Sequence, residues 1–229
     1  MPTVPWAAKN GHLRVVEWLH TKRSEGCTVA AMDRAAMHGH LPTVKWLHAN
    51  RSEGCTTEAM DKAAGGGHLC VVEWLHANEG CTTEAMDKAA GSGHLYVVEW
   101  LHNNRSEGCT AGAMTMASRG GHLSVVEWLH AHRSEGCRTT EAMDLAIQYG
   151  HLSVVEWLYN NRISEGCSTK AMHVAIWLGH LSVLEWLHFS EGCKTWEMGK
   201  KANELGQLPV VKWLQANRLN QEPRRFTWY

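Results

Sequence analysis

No apolar run in this 229-residue chain approaches the ~20 residues that a helix needs to cross a bilayer. The opening Met1-Pro2-Thr3-Val4-Pro5-Trp6 has neither the basic stretch nor the apolar stretch of a secretory leader. Charge of one sign is lacking as well. With 22 basic and 23 acidic residues the formal net charge is −1, so no field draws in nucleic acid or anionic lipid. There is no Cys-x-x-Cys and no His-x-x-x-His pair, and Gly65-Gly66-Gly67 is followed by no Lys-Ser or Lys-Thr, so it is no P-loop. These absences set the expectation of an intracellular, cytoplasmic protein with no nucleic-acid or membrane partner. In that setting the sequons at Asn50 and Asn104 have no consequence.

What is present is repetition. The phrase Gly-His-Leu-x-Val-Val-Glu-Trp-Leu-His, with substitutions, begins at Gly11, Gly39, Gly67, Gly93, Gly121, Gly150 and Gly179 and returns in altered form at Gly206. The spacings are 28, 28, 26, 28, 29, 29 and 27 residues. A fixed period of this size marks a solenoid whose units bury their apolar faces only by stacking. Apolar residues at 44% suffice for a continuous core. Seven of the eight cysteines (Cys27, Cys55, Cys81, Cys109, Cys137, Cys167 and Cys193) occupy one phase of the repeat. Helices stacked ~8–10 Å apart hold equivalent cysteines too far apart for a disulfide. Reduced, buried thiols acting as small hydrophobes are therefore expected.

One unit shows the local logic. Thr56-Thr57-Glu58 opens a helix, with a hydroxyl near the N-cap and an acid in the first turn. Glu58 to Ala64 is rich in helix formers, and Gly67 takes the left-handed C′ position that ends the helix. A second helix runs from about Leu69 to Ala77. At 100° per residue it places Leu69, Val71, Val72, Trp74 and Leu75 on one face and turns Cys70 and Glu73 away. Nothing reads as a strand. The predicted class is all-α, with about eight helix–turn–helix units over residues 1–218 followed by a tail, 219–229.

The segment Ala63-Ala64-Gly65-Gly66-Gly67-His68-Leu69-Cys70-Val71-Val72-Glu73-Trp74-Leu75 resembles the core of the ankyrin repeat, Ala-Ala-x-x-Gly-His-Leu-x-Val-Val-x-Leu-Leu. The resemblance extends from about Trp6 to Arg218. The family unit has about 33 residues, and the residues missing here come from the segment that forms its β-hairpin finger. The family's Thr-Pro-Leu-His opening is replaced by Glu58-Ala59-Met60-Asp61. Stacked helix pairs with blunt loops are the expectation. The resemblance also implies a non-catalytic scaffold that binds another protein, without a cofactor.

Comparing the units position by position separates packing from surface. Alanine four residues before the turn glycine never changes (Ala7, Ala35, Ala63, Ala89, Ala117, Ala146, Ala175, Ala202), and neither does the tryptophan (Trp18, Trp46, Trp74, Trp100, Trp128, Trp157, Trp186, Trp213). Both columns, with the Met32, Met60, Met86, Met114, Met143 and Met172 ladder, are read as core. One histidine ladder follows the turn glycine (His12, His40, His68, His94, His122, His151, His180) and is read as bridging backbone groups at the turn. The other follows Trp-Leu (His20, His48, His76, His102, His130, His188) and is read as half-buried at the seam. A zinc site needs four ligands converging on one point, whereas a ladder supplies one residue per rung. The Arg and Glu of the Arg-Ser-Glu-Gly loops are read as pairing between rungs, as in Glu25 with Arg51.

Varying positions are taken as free of packing. The two residues before the turn glycine vary most, and in ankyrin proteins this edge of the first helix lines the concave binding face. Candidate partner-binding residues there are Met37, His38, Arg119, Gln148, Tyr149, Trp177 and Leu178, with Arg, Tyr and Trp the types enriched at interface hot spots. Two other readings stand beside partner binding. One is a structural spacer or self-associating array. The other, ranked below it, is a metal- or redox-responsive use of the Cys and His columns. The short first helix ahead of Gly11 sets the expectation of a monomer or a piece of a longer array. The tail with Phe226, Trp228 and Tyr229 is read as folding back over the last seam.

Overall fold

A computed structural model describes residues 3–22, 29–52, 54–78, 82–132, 140–161, 168–191 and 202–216. Fifteen helices and no strand are bounded among the described residues. The first helices of the units are α1 (Val4–Lys9), α3 (Val29–Met37), α5 (Thr57–Gly65), α7 (Glu84–Gly91), α9 (Ala111–Gly120), α11 (Thr140–Gln148) and α13 (Thr169–Leu178). The second helices are α2 (Leu13–Lys22), α4 (Leu41–Asn50), α6 (Leu69–His76), α8 (Leu95–Asn104), α10 (Leu123–His132), α12 (Leu152–Asn160), α14 (Leu181–Glu191) and α15 (Leu208–Ala216). The described loop 105–110 carries no strand, as the shortened period implies.

The chain forms two compact bodies, Met1–Ala117 with Ser124–Cys137, and Ser118–Leu123 with Arg138–Tyr229. In the first body α1 packs on α3, α3 on α5 and α5 on α7, while α2 packs on α4 and α4 on α6. In the second, α11 packs on α13 and α12 on α14.

The helix pair is made by its turn. All eight turn glycines are left-handed, with φ from 68° at Gly206 to 79° at Gly93. In the unit around Gly67 the amide of His68 donates to Ala63 O at 2.9 Å and that of Gly67 to Ala64 O at 3.0 Å. These two bonds are the Schellman closure. The constant alanine thus sits third from the end of its helix, and its carbonyl receives the closing bond. The same bond recurs from His12 to Ala7, His40 to Ala35, His94 to Ala89, His151 to Ala146, His180 to Ala175 and Gln207 to Ala202.

The alanine column is sealed: Ala7, Ala35, Ala63, Ala89, Ala117, Ala146, Ala175 and Ala202 expose nothing. Met32, Met60, Met86, Met114 and Met143 are buried beside it, and Met172 is half-buried. From the second helices, Val71, Val72 and Leu75 and their counterparts complete the core. Leu69 stays half-buried, and Cys70 and Glu73 are exposed.

The tryptophans depart from the expected buried spine. Trp46, Trp74, Trp100, Trp128, Trp157, Trp186 and Trp213 are half-buried, and Trp18 is 58% exposed. They lie on the second helices, away from the alanine column of the first, and Trp46, Trp74, Trp100 and Trp128 each meet a histidine of the preceding unit edge-on. The cysteines differ as well. Cys55 and Cys109 are half-buried thiols, while Cys27, Cys81, Cys137, Cys167 and Cys193 lie outside the described residues; Cys70, turned away from the core as expected, is exposed.

Ser118 takes the place that Ala36, Ala64 and Ala90 hold in other units, and its hydroxyl is buried with no hydrogen-bond partner. A buried, unpaired hydroxyl costs about 1–3 kcal/mol. Ser118→Ala is therefore expected to stabilise the protein by about 1 kcal/mol, measured by urea unfolding; an unchanged or lower midpoint would contradict the assignment.

Candidate functional site

Three sets of contacts fasten one unit to the next and thereby set the edge where the variable residues lie. The first uses the turn histidines. His40 Nε2–H donates to Lys9 O at 3.0 Å, His151 Nε2–H to Arg119 O at 2.9 Å and His180 Nε2–H to Gln148 O at 2.9 Å. Gln207 Nε2–H donates likewise to the carbonyl of Trp177. A carbonyl can only accept, so the ring nitrogen is the donor. Three of the turn histidines thus bond a backbone carbonyl, and that carbonyl belongs to the preceding unit and not to their own turn. Burial pushes the His68 imidazole below its ordinary value. The Met37 carbonyl nearby offsets this in part, and the neighbouring His40, His94 and His38 push it further down.

The same rings lie over the turn glycines. A methyl group added to Gly11 would sit 2.6 Å from His40 Nδ1, and one added to Gly39 would sit 2.5 Å from His68 Nδ1. Glycine is needed here for its positive φ and for the space its missing side chain leaves to the next unit's imidazole.

The second set escaped sequence reasoning. Asp33, Asp61 and Asp87 are buried. Asp61 Oδ1 accepts from Thr82 N at 3.1 Å and Oδ2 from Thr82 Oγ1 at 2.9 Å. Asp33 holds Thr56 in the same two-pronged way, at 3.0 Å for both bonds. Asp87 holds Thr110, and Asp144 accepts from Ser168 N at 2.8 Å. The Thr82 hydroxyl also accepts from Glu84 N at 3.1 Å, and that of Thr110 from Gly112 N at 2.9 Å. Each carboxylate thus anchors the residue that starts the next first helix. The Thr56 hydroxyl donates to Asp33 and, unlike those of Thr82 and Thr110, accepts no backbone amide of its own helix. The signal was present in the sequence: Asp recurs after the core methionine, and Thr or Ser recurs 21–24 residues later.

The third set runs along the second helices. His20 meets the Trp46 ring edge-on at 5.2 Å, His48 meets Trp74 at 5.0 Å, His76 meets Trp100 at 5.2 Å and His102 meets Trp128 at 5.1 Å. In the second body Tyr159 meets Trp186 at 5.0 Å and His188 meets Trp213 at 5.7 Å. His20, His76, His102 and His188 are half-buried as expected, whereas His48 and His130 are exposed. Arg51 Nη1 donates to His20 Nδ1 at 3.1 Å, and Arg105 Nη1 to His76 Nδ1 at 3.0 Å. The loop arginines therefore reach a histidine of the preceding unit. Arg105 also pairs with Glu107 of its own loop and holds that carboxyl below its ordinary value. Glu25, expected to pair with Arg51, lies outside the described residues. Among the described residues no three His, Cys, Asp or Glu side chains gather so as to hold a metal ion.

The variable edge sits on this frame. Met37 is exposed and His38 half-buried in the first body. In the second, Arg119 is exposed, Gln148 half-buried, Tyr149 40% exposed, Trp177 60% and Leu178 50%. The Arg119 guanidinium lies over the Tyr149 ring, 5.1 Å from its centroid. The backbones under Arg119, Gln148 and Trp177 are the ones whose carbonyls are held by His151, His180 and Gln207. One premise of the sequence reading needs correction, because varying positions are not all free of packing. A methyl group on Gly65 would lie 3.1 Å from Lys88 Cβ, and one on Gly91 would lie 3.0 Å from Met116 Cβ. The bare middle of the array reflects the close approach of α5, α7 and α9.

Family models describing ankyrin repeats match residues 32–76 (many copies) and residues 86–169 and 114–198 (three copies). Among solved structures, the human ASB11 ankyrin repeat domain is similar with a TM-score of 0.55 at 15% identity, over 70% of this chain and 83% of that one. A comparison with curated protein sequences gives no match. The left-handed glycine turns, the sealed alanine column and these matches lead to one conclusion: the chain belongs to the ankyrin repeat family.

Proposed function

We propose that this protein holds another protein on the edge formed by Arg119, Gln148, Tyr149, Trp177 and Leu178, with Met37 and His38 as a lesser contact. Ankyrin repeats are in general scaffolds for protein–protein interaction, and the family is non-catalytic. No described helix is long and apolar enough to cross a membrane. The observation that carries the reading is the exposure of Tyr149, Trp177 and Leu178 on a backbone held at its carbonyls. Large apolar side chains on a rigid support bind with little loss of conformational freedom. The Arg119–Tyr149 pair adds a cation for a partner's carboxylate or ring. The thiols at Cys55, Cys70 and Cys109 suit a reducing cell interior.

The Tyr149→Ala/Trp177→Ala double variant tests the reading. Neither ring is buried, so the expected cost in stability is below about 1 kcal/mol. Recovery of partner from cell extract should fall by more than about tenfold, the loss of one modest hot spot. Undiminished recovery by a folded double variant would leave a spacer or self-associating array as the better account, which light scattering of the wild type would then check.

A further inference from the structure

On the reading that Arg119, Tyr149, Trp177 and Leu178 form the binding surface, we infer that the partner presents to it a short extended segment in which a carboxylate lies about three residues from a large apolar side chain. The charge pattern calls for the carboxylate. On α5 and α7 the lysines are answered within their own helix, Lys62 by Glu58 and Lys88 by Glu84. α9 has no acidic residue, and one turn before Arg119 stand Thr115 and Met116. α13 has no acidic residue either. On α11, Asp144 is committed to Ser168 N, and Glu141 stands in the first turn, about 10 Å along the axis from Gln148. Among the described residues no carboxylate pairs with Arg119.

The cation is also placed. Its guanidinium carbon lies 5.1 Å from the centroid of the Tyr149 ring, so the charge of one unit is set over an aromatic of the next. A partner's ring offers the guanidinium no acceptor, whereas a carboxylate takes two of its N–H groups at once. A phosphate group is typically met by a cluster of arginines, and Arg119 is the one cation among these edge residues. The stack then sets the spacing. α11 packs on α13, and packed helices lie ~8–10 Å apart. Trp177 therefore stands about that far from the Tyr149 ring on which the cation sits, a distance that about three residues of extended chain cover at ~3.3 Å each. Glu204, exposed beyond Leu178, puts negative charge at the opposite end and so turns the partner's acid toward Arg119.

The test selects a random peptide library displayed on phage against the full wild-type chain, and repeats the selection against Arg119→Glu and Arg119→Gln. Arg119 is exposed, so all three proteins should unfold in urea at nearly the same midpoint. The wild type should enrich peptides with Asp or Glu about two to four residues from Trp, Phe or Leu. Arg119→Glu should enrich Lys or Arg in place of the acid, and should bind a wild-type peptide at least about tenfold more weakly. Arg119→Gln should favour neither charge. A wild-type consensus without an acid, or the same acidic consensus from Arg119→Glu, overturns the carboxylate; if those peptides fail on Tyr149→Ala/Trp177→Ala, the apolar docking edge still stands. No enriched peptide, or peptides that bind that double variant undiminished, overturns the edge itself and the carboxylate with it.

Discussion

Gly39→Ala is expected to destabilise the protein by about 3 kcal/mol, while Gly54→Ala costs about 1 kcal/mol. Both glycines have a positive φ, 76° and 68° respectively. The conformational penalty of an alanine in that region is therefore shared, about 1 kcal/mol. The difference lies in the space. A methyl group on Gly54 meets nothing within 4 Å, whereas one on Gly39 meets His68 Nδ1 at 2.5 Å and Cε1 at 2.8 Å. The His68 ring is confined on both edges, because an added methyl group on Gly66 would lie 2.9 Å from its Nε2. Making room means turning the ring out of the seam or spreading the helices, and such overpacking costs about 1–3 kcal/mol more. Urea unfolding of the two single variants checks the ordering. A His68→Ala background checks the cause, because there Gly39→Ala should fall to the cost of Gly54→Ala. Equal costs for the two glycine variants in the wild-type background would show that the imidazole contact carries no weight.

Asp61→Ala is the second large effect expected, again about 3 kcal/mol. The carboxylate is 2% exposed and receives both the backbone amide and the hydroxyl of Thr82. Hydrogen bonds to a charged group contribute about 1.5–3 kcal/mol, and removing the acceptor leaves two donors in a part-buried site. The start of α7 loses its anchor at the same time, because the Thr82 hydroxyl that it frees also accepts from Glu84 N. Asp61→Asn keeps one acceptor oxygen and should cost about half as much. Thermal or urea unfolding of both variants tests this, and an Asp61→Ala protein as stable as wild type would remove the carboxylate from any account of stacking. Nature has run a related change in α9, where Thr115 occupies the aspartate's phase. Its hydroxyl turns back to Ala111 O of its own helix, 3.3 Å away.

These residues mark where reading along the chain succeeds and where it stops. The helix pair could be read because its determinants are local: a glycine required by positive φ, apolar residues at helical spacing, and an alanine three places from the helix end. The binding edge could be located by its variation among units, but its packing could not. Gly65 and Gly91 look like open surface until Lys88 and Met116 are found against them. Tyr149 and Trp177 were named as rings on an edge, yet the support under them, from His180 and Gln207, belongs to the following units.

By itself, then, the sequence determined the all-α class, the period, the turn and the sealed alanine column, since every one of these is a property of a single unit repeated. Only the tertiary structure decided which partner each polar column takes. His40 finds its acceptor 31 residues back and Asp61 its donor 21 residues ahead. In both cases the partner is a backbone group or a side chain that every unit offers alike. Spacing cannot choose among identical rungs. Stacking does, because at the distance of one helix only the adjacent rung comes within reach of a hydrogen bond.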